Sequence, residues 1–497
     1  MERVNLHPDL QSSEFNLDEI CFPPRRIPNF EWSDVDLSTQ LTRNIRLRGI
    51  PLLSSPMDTV TGSKMAILMA LMGGIGVIHY NFPTIEDQMK EVEKVRKFEA
   101  GFVKNPAVIS PKIKISQVIE LINQNGFSSY PVTEDGTLQT KLVGMVTEKD
   151  IFDNLELGVS LDSKVNKIMT TAENLVTESR KNTLDKNDIK AANKKIRETH
   201  IDTLPIVDKD FKLAALVTRS DLDKNREFEL ATKDENKQLK VLVAVESRFN
   251  NVKERIAQAA YYGATGIVVD SRNIYEDGIP TAKFTKKEFP GLEVVLGNLV
   301  TAEVAKDVFE RCIVDGLRVG MGGGKVCITA ERLGLTRDLG AATRDVAEVR
   351  NFYIRKSGYV GLWIDGGVEY PKHFVGGMIL GADGAMMGTE LAGLEESPGN
   401  RILDDRGLLV KTVRGMGSPQ AIMERQGASR YGLENVKLRR YPEGIEKKVP
   451  YKGDGLDYLN EMLCGIKQAM HGLGCKNIKE LRLHGYIAPW HRSPLKS

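Results

Sequence analysis

The chain of 497 residues carries 69 Lys and Arg against 67 Asp and Glu, a formal net charge of +2, and 41% of its residues are hydrophobic. This composition excludes a disordered chain, and the near-neutral charge provides no broad basic field for a nucleic acid or an anionic membrane. The length allows about three domains of about 150 residues, or one large domain that carries an insertion.

Cysteine usage and the longest apolar stretch indicate a cytoplasmic protein without a membrane span. The five cysteines form no C-x-x-C pair, which argues against a disulfide framework and against a cysteine-based zinc site. The apolar stretch at residues 65–72 is far shorter than the roughly 20 residues that a membrane helix needs. The first residues also lack the apolar region of a secretory signal.

Short apolar runs that end at or beside Gly, Ser, Asp or Asn alternate with helical patterns along the chain. Runs without polar alternation are typical of parallel strands that are buried on both faces. The eight runs are residues 51–55, 74–79, 239–245, 266–270, 292–297, 316–320, 361–365 and 382–387, and helices are expected at 251–262, 301–309, 345–356 and 370–380. Eight such units predict an α/β fold, the (β/α)8 TIM barrel. A doubly wound open sheet is the alternative, but no run opens into a G-x-G-x-x-G turn.

The interval between the second and third runs contains an internal repeat and is too long for one loop. Tyr130-Pro-Val-Thr-Glu-Asp-Gly and residues 141–151 recur as Leu204-Pro-Ile-Val-Asp-Lys-Asp and residues 212–222. Each copy predicts two strands and then T-x-x-D at the start of a helix, where the Thr or Asp can cap the helix or contact ribose hydroxyls. We therefore expect a discontinuous barrel, residues 1–100 and 226–497, interrupted by a domain at 101–225.

The two copies resemble cystathionine-β-synthase (CBS) modules, which pair into a Bateman domain. Such pairs commonly bind adenine or guanine nucleotides as regulators. The resemblance implies that ATP or GTP is bound through the T-x-x-D residues of both copies, which are Thr147, Asp150, Thr218 and Asp221. A degenerate pair with a purely structural role is the alternative.

A glycine-rich loop with one cysteine follows the sixth run. It reads Gly316-Leu-Arg-Val-Gly-Met-Gly-Gly-Gly-Lys-Val-Cys-Ile-Thr329, and in a TIM barrel it lies at the carboxyl end of a strand, where active sites gather. A P-loop does not fit because Val319 and Val326 occupy its first Gly and its Ser/Thr position. A dinucleotide fingerprint fails at Lys325. Cys327 on this loop is a candidate nucleophile; a buried structural cysteine is the alternative.

A series of motifs runs in order through most of the chain. They are Ser55-Pro-Met-Asp-Thr-Val60, Gly73-Gly-Ile-Gly-Val-Ile-His79, Gly297-Asn298, Asp365-Gly-Gly367, Met387-Gly388, Glu395-Glu-Ser-Pro-Gly399, Arg414-Gly-Met-Gly-Ser418, Arg430-Tyr431, Glu443-Gly-Ile and Val449-Pro-Tyr-Lys-Gly453. Together they resemble the IMP dehydrogenase / GMP reductase family, and the IMP dehydrogenases in particular. The resemblance implies NAD⁺-dependent oxidation of inosine 5′-monophosphate (IMP) to xanthosine 5′-monophosphate (XMP) in guanine nucleotide biosynthesis. It also implies a homotetramer, which in some relatives pairs into an octamer.

The resemblance assigns the catalytic residues. In this family a cysteine adds to C2 of IMP, hydride passes from C2 to NAD⁺, and the resulting thioimidate is hydrolysed. Cys327 is then the nucleophile and Thr329 helps to position water. Arg430 is the base that activates water and Tyr431 supports it, although a surface pair on a polar loop is the alternative for these two. Arginine is an unusual base because its pKa exceeds about 12. A mobile flap is expected at about residues 400–450.

The resemblance also assigns binding residues. Asp365 accepts both ribose hydroxyls, and Glu443 recognises the N1 edge of hypoxanthine. The amides of Gly366, Gly367 and Gly388 are available to phosphate. The other substrate-binding residues are Ser55, Met57, Lys325, Thr389, Gly415, Met416 and Gly417. The NAD⁺-binding residues are Asp270, Asn298, Gly320 and Gly322. A potassium ion, K⁺, is expected on the carbonyls of Gly322, Gly324 and Cys327.

Three departures from the family pattern leave other functions open. Lys325 stands where the family has a serine on the phosphate, Val413 replaces a tyrosine, and residues 271–274 differ from the usual run beside nicotinamide. GMP reductase, which deaminates GMP with NADPH, shares the barrel and the cysteine. It needs no hydrolysis, so the Arg430-Tyr431 pair favours the dehydrogenase. A catalytically silent, nucleotide-responsive relative is the third interpretation.

Overall fold

The structure is a computed structural model, and it describes residues 4–27, 29–98, 102–104, 106–125, 128–186, 190–218, 228–236, 238–271, 273–424 and 442–490. The chain divides into two compact units. The first comprises Met1–Phe98 and Leu230–Ser497, and the second comprises Glu99–Glu229. Within the described ranges, no helix is both long and apolar enough to cross a membrane.

Eight parallel strands in the first unit close into a barrel in sequential order. They are β1 (Leu52–Ser54), β2 (Ile75–Ile78), β3 (Leu242–Glu246), β4 (Gly266–Asp270), β5 (Glu293–Leu299), β6 (Gly316–Val319), β7 (Gly361–Asp365) and β8 (Gly384–Met387). The barrel closes where β8 pairs with β1. The prediction of a (β/α)8 barrel is confirmed, because apolar runs without alternation fit strands that are covered on both faces.

A helix follows each strand along the chain. These helices are α1 (Ser63–Leu71), α2 (Ile85–Arg96), α3 (Val252–Tyr261), α4 (Ile279–Glu288), α5 (Ala302–Arg311), α6 (Leu339–Ser357), α7 (Pro371–Ile379) and α8 (Gly455–Gly472). The start predicted for α6, residue 345, is wrong: the helix begins at Leu339. The side-chain oxygen of Asn16 accepts the Leu339 amide at 3.0 Å, and this distant partner is invisible to a local sequence pattern.

A hairpin of Thr39–Gln40 and Arg46–Leu47 packs at the amino-terminal ends of β7 and β8. The Trp363 indole donates to the Leu41 carbonyl at 2.9 Å. A side chain on Gly361 would place its Cβ 1.7 Å from that same carbonyl oxygen, so only glycine fits at the start of β7. Leu41 and Trp363 belong to the buried core that fills the barrel. With this end closed, the carboxyl ends of the strands remain for a site.

Shorter elements complete the first unit. A three-stranded sheet joins Asn5–Leu6, Tyr486–Pro489 and Ile20–Cys21. A second, antiparallel sheet joins Ile402–Leu403, Leu409–Arg414 and Glu446–Pro450. This second sheet lies within the segment for which a flap is expected. The short helices are Asp9–Ser12, Thr329–Leu333, Thr389–Ala392, Pro419–Glu424 and Ile478–His484.

The second unit contains the sequence repeat. Ser129–Thr133 pairs with Leu142–Thr147, and Thr203–Val207 pairs with Leu213–Thr218; both pairs are antiparallel. The two pairs share one burial pattern, and each has an irregularity in register at the corresponding position, between Val132 and Thr133 and between Ile206 and Val207. The α-helices in the described part of this unit are Ile115–Asn125, Glu148–Glu156 and Lys190–Thr199. The repeat thus folds as two equivalent strand pairs.

Candidate active site

The loop after β6 is held by a segment that lies more than one hundred residues further along the chain. Cys327 faces Gly444 in an antiparallel bridge. Two main-chain hydrogen bonds of 2.9 Å flank this bridge, from the Ile328 amide to the Glu443 carbonyl and from the Ile445 amide to the Val326 carbonyl. The structure therefore places Cys327 and Glu443 side by side at the carboxyl end of the barrel, although the sequence separates them widely.

Three side chains form a short hydrogen-bonded series on this loop. The Cys327 thiol donates to the Thr329 hydroxyl oxygen at 3.3 Å, and the Thr329 hydroxyl donates to Glu443 Oε2 at 3.3 Å. Thr329 is the first residue of the helix Thr329–Leu333. The thiol is half-buried, so it retains access to a ligand while its neighbours fix its direction.

The turn 415–418 packs directly against the same loop. The Gly415 amide donates to the Ile445 carbonyl at 3.0 Å. A Cβ on Gly415 would lie 2.6 Å from the Val326 carbonyl oxygen, so a side chain there would push the cysteine loop away. The Gly417 carbonyl accepts the Glu443 amide at 3.3 Å, and the Met416 side chain packs against the barrel core. The structure thus brings 415–417 beside Cys327.

An ion pair anchors this turn to the loop after β1. Arg414 lies 2.8 Å from the buried carboxylate of Asp58, and its amide donates to the Thr59 hydroxyl at 3.2 Å. His79, at the end of β2, is also buried; burial lowers its pKa to about 4, so the ring is neutral at pH 7. The sequence motifs contain these residues, but only the structure shows that Asp58 and Thr59 hold Arg414, the residue before the turn.

Ser55, Met57 and Gly388 meet where β8 adjoins β1. The Ser55 amide donates to the Met387 carbonyl at 2.8 Å, and a Cβ on Gly388 would lie 3.0 Å from the Met57 sulfur. Thr389 follows as the first residue of the helix Thr389–Ala392. These four predicted substrate residues therefore form one wall.

Carboxylates from β4 and β7 flank one guanidinium, and a side-chain amide from β5 contacts one of them. Arg318 Nη2 lies 2.7 Å from Asp270 Oδ1, and Arg318 Nη1 lies 3.8 Å from Asp365 Oδ2. The Asn298 amide donates to Asp365 Oδ2 at 2.9 Å, while the Tyr80 hydroxyl donates to Asp270 Oδ2 at 2.8 Å. The three predicted ligand-binding residues of this group are therefore in direct or bridged contact.

Arg318 was not among the residues predicted from the sequence. It is only 3% exposed and lies in β6 between apolar neighbours. A lone arginine inside an apolar strand is the sequence feature that could have identified it as a site residue. Burial raises the pKa of Asp365, and Arg318 acts in the opposite direction. The arginine thus supports the ionised form of that carboxyl group.

The glycine loop between β6 and Cys327 lies against the residues that follow β7. Gly320 has a φ of 127°, and a Cβ there would come within 2.1 Å of the Asp365 carbonyl oxygen. Gly366 has a φ of 86°, and its Cβ would lie 3.4 Å from the Gly323 carbonyl carbon. This close approach of two backbones explains why both loops are rich in glycine.

Lys325 bridges the loops that follow β7 and β8 through two carboxylates, Glu369 and Glu390, which were not among the predicted site residues. Its Nζ lies 2.8 Å from Glu369 Oε2 and 2.8 Å from Glu390 Oε1. Although desolvation opposes it, hydrogen bonding to these two carboxylates raises the pKa of Lys325. The bridge ties the cysteine loop to both neighbouring strand ends.

Arg430, Tyr431 and Asp221 fall outside the described residues. Three other predicted residues, Thr147, Asp150 and Thr218, belong to the second unit. In the second unit Thr147 and Asp150 form a capping box for the helix Glu148–Glu156, and Thr218 ends its strand. Where side chains are described, no group of three or more His, Cys, Asp or Glu is placed to hold a metal ion.

The barrel and this site define a TIM-barrel enzyme that carries a cysteine on a glycine-rich loop at the carboxyl ends of its strands. A family model described as IMP dehydrogenase / GMP reductase domain matches residues 14–492. The chain therefore belongs to the IMP dehydrogenase / GMP reductase family.

Curated relatives and solved structures agree with this assignment. The inosine-5′-monophosphate dehydrogenase of Schizosaccharomyces pombe is 38% identical, with 91% of this chain and 84% of the relative covered. The enzyme of the same name from Toxoplasma gondii is 40% identical, with 88% of this chain and 76% of the relative covered. A cysteine-to-alanine variant of GMP reductase from Trypanosoma brucei, solved with guanosine 5′-monophosphate, is similar in structure with a TM-score of 0.76. It is 27% identical, with 98% of this chain and 97% of that chain covered.

Proposed function

We propose that this chain oxidises IMP to XMP with NAD⁺, in guanine nucleotide biosynthesis. One observation carries the proposal: the thiol of Cys327, the hydroxyl of Thr329 and the carboxylate of Glu443 form a hydrogen-bonded series at the carboxyl end of the barrel. Relatives named IMP dehydrogenase, 34–40% identical over most of the chain, support it.

The proposed substrate site orients IMP over the thiol. Asp365 accepts the ribose hydroxyls, and Glu443 receives the N1 edge of the base. The amides of Gly366, Gly367 and Gly388, together with Thr389, surround the phosphate. Because Gly415 packs against Val326 of the cysteine loop and Gly417 accepts the amide of Glu443, the turn that carries Met416 closes the side of the site.

Two chemical steps follow from this arrangement. Cys327 adds to C2 of IMP as a thiolate, and NAD⁺, when bound, supplies the two-electron acceptor that oxidises C2. Water then cleaves the carbon–sulfur bond to give XMP and the free thiol. Thr329 positions this water, and Arg430 with Tyr431 activates it. The Thr329 hydroxyl already contacts both the thiol and Glu443, which suits it to hold a water molecule at the reacting carbon.

The residues proposed for NAD⁺ and K⁺ fit these groups chemically. Each oxygen of Asp270 already accepts one hydrogen bond, but a carboxylate has about four acceptor positions and can still receive a ribose hydroxyl. The Gly324 carbonyl accepts the Cys327 amide at 2.9 Å and keeps a second lone pair for a cation. Backbone carbonyls are hard oxygen ligands, which suit K⁺. Asn298, Gly320 and Gly322 complete these proposed contacts.

Absorbance at the wavelength of reduced nicotinamide tests the proposal. Purified protein with IMP and NAD⁺ should produce NADH, and Cys327→Ser should abolish turnover while IMP binding persists. Retained turnover in this variant would remove Cys327 from the nucleophile role. Arg430→Ala should slow hydrolysis more than NADH formation, so its first-turnover burst should remain; loss of the burst would contradict the role of Arg430.

GMP reductase is the second candidate, because solved structures of that enzyme resemble the chain over 96–98% of its length. Consumption of NADPH with GMP, without NADH formation from IMP, would establish this reaction instead. Nucleotide binding without turnover in either assay would indicate a nucleotide-responsive protein that lacks catalysis.

For the second unit we propose a CBS pair that binds ATP or GTP. The equivalence of its two strand pairs supports a tandem module, whereas the capping role of Thr147 and Asp150 also fits a structural pair. Calorimetry with each nucleotide distinguishes the two, since a structural pair should release no heat. We further propose a homotetramer, or an octamer of paired tetramers, which light scattering would reveal.

A further inference from the structure

We propose that Lys325, held between Glu369 and Glu390, is the specificity-determining residue for the 5′-phosphate of the substrate. The inference rests on the proposed function, because it concerns the phosphate of the nucleotide that this site would bind. It gives Lys325, so far only a predicted substrate-binding residue, a specific role, and it adds Glu369 and Glu390 to the residues around the proposed phosphate position.

The lysine is fixed in place before any ligand arrives. Its ammonium group lies 2.8 Å from Glu369 and 2.8 Å from Glu390. Glu390 also lies 2.6 Å from the ammonium group of Lys452, and the Lys447 ammonium donates to the Lys325 carbonyl at 2.9 Å. The carboxylates are about one-fifth exposed, while the Lys325 side chain is 46% exposed. The open member of the cluster is therefore the cation.

The two carboxylates that hold Lys325 belong to the same two loops as the proposed phosphate ligands. Glu369 follows Gly367 by two residues, and Glu390 directly follows Thr389. A Cβ on Gly367 would lie 3.5 Å from the Gly323 carbonyl oxygen, so the loop that carries Lys325 runs close to the phosphate amides. A phosphate held by these amides would consequently be a neighbour of the ammonium group.

The charges around the proposed phosphate position predict that two substitutions change the affinity for phosphate in opposite directions. An ammonium group has three N–H donors, and the two carboxylates account for two of them, which leaves one for a phosphate oxygen. The same carboxylates repel a phosphate dianion. Removing the positive charge of Lys325 should weaken phosphate binding, whereas removing the negative charge of Glu390 should strengthen it. A cluster that only braces the fold would not give opposite signs.

Calorimetry of the full-length protein with IMP and with inosine, in the absence of NAD⁺, tests this inference. Lys325→Met should weaken IMP binding about 10- to 100-fold, the range for a charge-assisted hydrogen bond, and leave inosine binding unchanged. Lys325→Arg should retain most of the affinity for IMP. Glu390→Gln should tighten IMP binding severalfold. Lys286→Met is the matched control, since Lys286 pairs with Asp315 before β6, and its ratio of IMP to inosine affinity should equal that of the wild type.

Three results would overturn the inference: equal losses of IMP and inosine binding in Lys325→Met, weaker IMP binding in Glu390→Gln, or a wild type that binds inosine as tightly as IMP. Failure of the proposed reaction is a separate result. A protein that binds IMP through Lys325 but produces no NADH would refute the dehydrogenase and leave this inference standing. A protein that binds neither IMP nor GMP would refute both.

Discussion

The buried guanidinium of Arg318 makes a strong prediction about charge compensation. Arg318→Gln keeps a shorter side chain that can still donate hydrogen bonds but removes the positive charge between two carboxylates. At an effective dielectric constant of about 20, unit charges separated by the observed 2.7 and 3.8 Å attract each other by about 6 and 4 kcal/mol. The loss of water around the buried arginine is unfavourable and offsets much of this electrostatic attraction. Breaking a buried pair costs about 3–5 kcal/mol, and we expect the free energy of unfolding to fall by about that amount.

The same substitution should change the pH dependence of stability. Burial raises the pKa of Asp365, and Arg318 restrains that rise; without the arginine the pKa rises further. A carboxyl group whose pKa is higher in the folded state takes up a proton on folding, so the variant gains stability as the pH falls toward that pKa. The free energy of unfolding of the variant should therefore lie closer to that of the wild type at pH 5 than at pH 8.

Urea unfolding followed by tryptophan fluorescence measures this effect in the barrel unit. All three tryptophans, at positions 32, 363 and 490, belong to that unit. Adding Asp270→Asn to Arg318→Gln removes one of the two uncompensated carboxylates, so the double variant should be more stable than Arg318→Gln alone. A double variant that is no more stable, or a loss that is the same at both pH values, would refute charge compensation as the role of Arg318.

Two further predictions concern stability. Because burial lowers the pKa of His79 to about 4, the unfolded chain binds this proton at a higher pH than the folded chain. Stability should fall by about 3 kcal/mol between about pH 6.5 and pH 4, and His79→Gln should abolish this component in fluorescence-monitored unfolding; an unchanged pH profile would speak against it. Thr147→Ala removes the helix cap shared with Asp150 and should cost about 1 kcal/mol in calorimetric unfolding of the second unit, whereas Thr147→Ser should cost little.

The barrel could be predicted because its signal is local. A parallel strand that is covered by helices on one face and by the core on the other is apolar at every position, so the runs themselves indicate the fold. The Cys327 loop was found in the same way, since several glycines beside one cysteine are unusual in any local window. The structure adds the order of the strands around the barrel, and therefore shows which strand ends lie next to each other.

The ionic contacts of the site could not be predicted from the sequence. Arg318 finds its partners at the ends of β4 and β7, and Lys325 finds its partners at Glu369 and Glu390. Each contact depends on barrel closure, which places distant segments within a few ångströms of one another. No periodicity or spacing in the chain encodes such a pair. Even the unusual position of Arg318 inside an apolar strand does not indicate which carboxylates it contacts.

The repeated irregularity in the second unit has an evolutionary consequence. A hydrophobic pattern sets which face of a strand is buried, but it does not dictate where an extra residue interrupts a ladder. Both strand pairs break register at the same position, after Val132 in one and after Ile206 in the other. Two copies that arose independently would have little reason to share this defect. Its recurrence adds a backbone feature to the residue pattern that the two copies share, and this favours the duplication of one segment as their common origin.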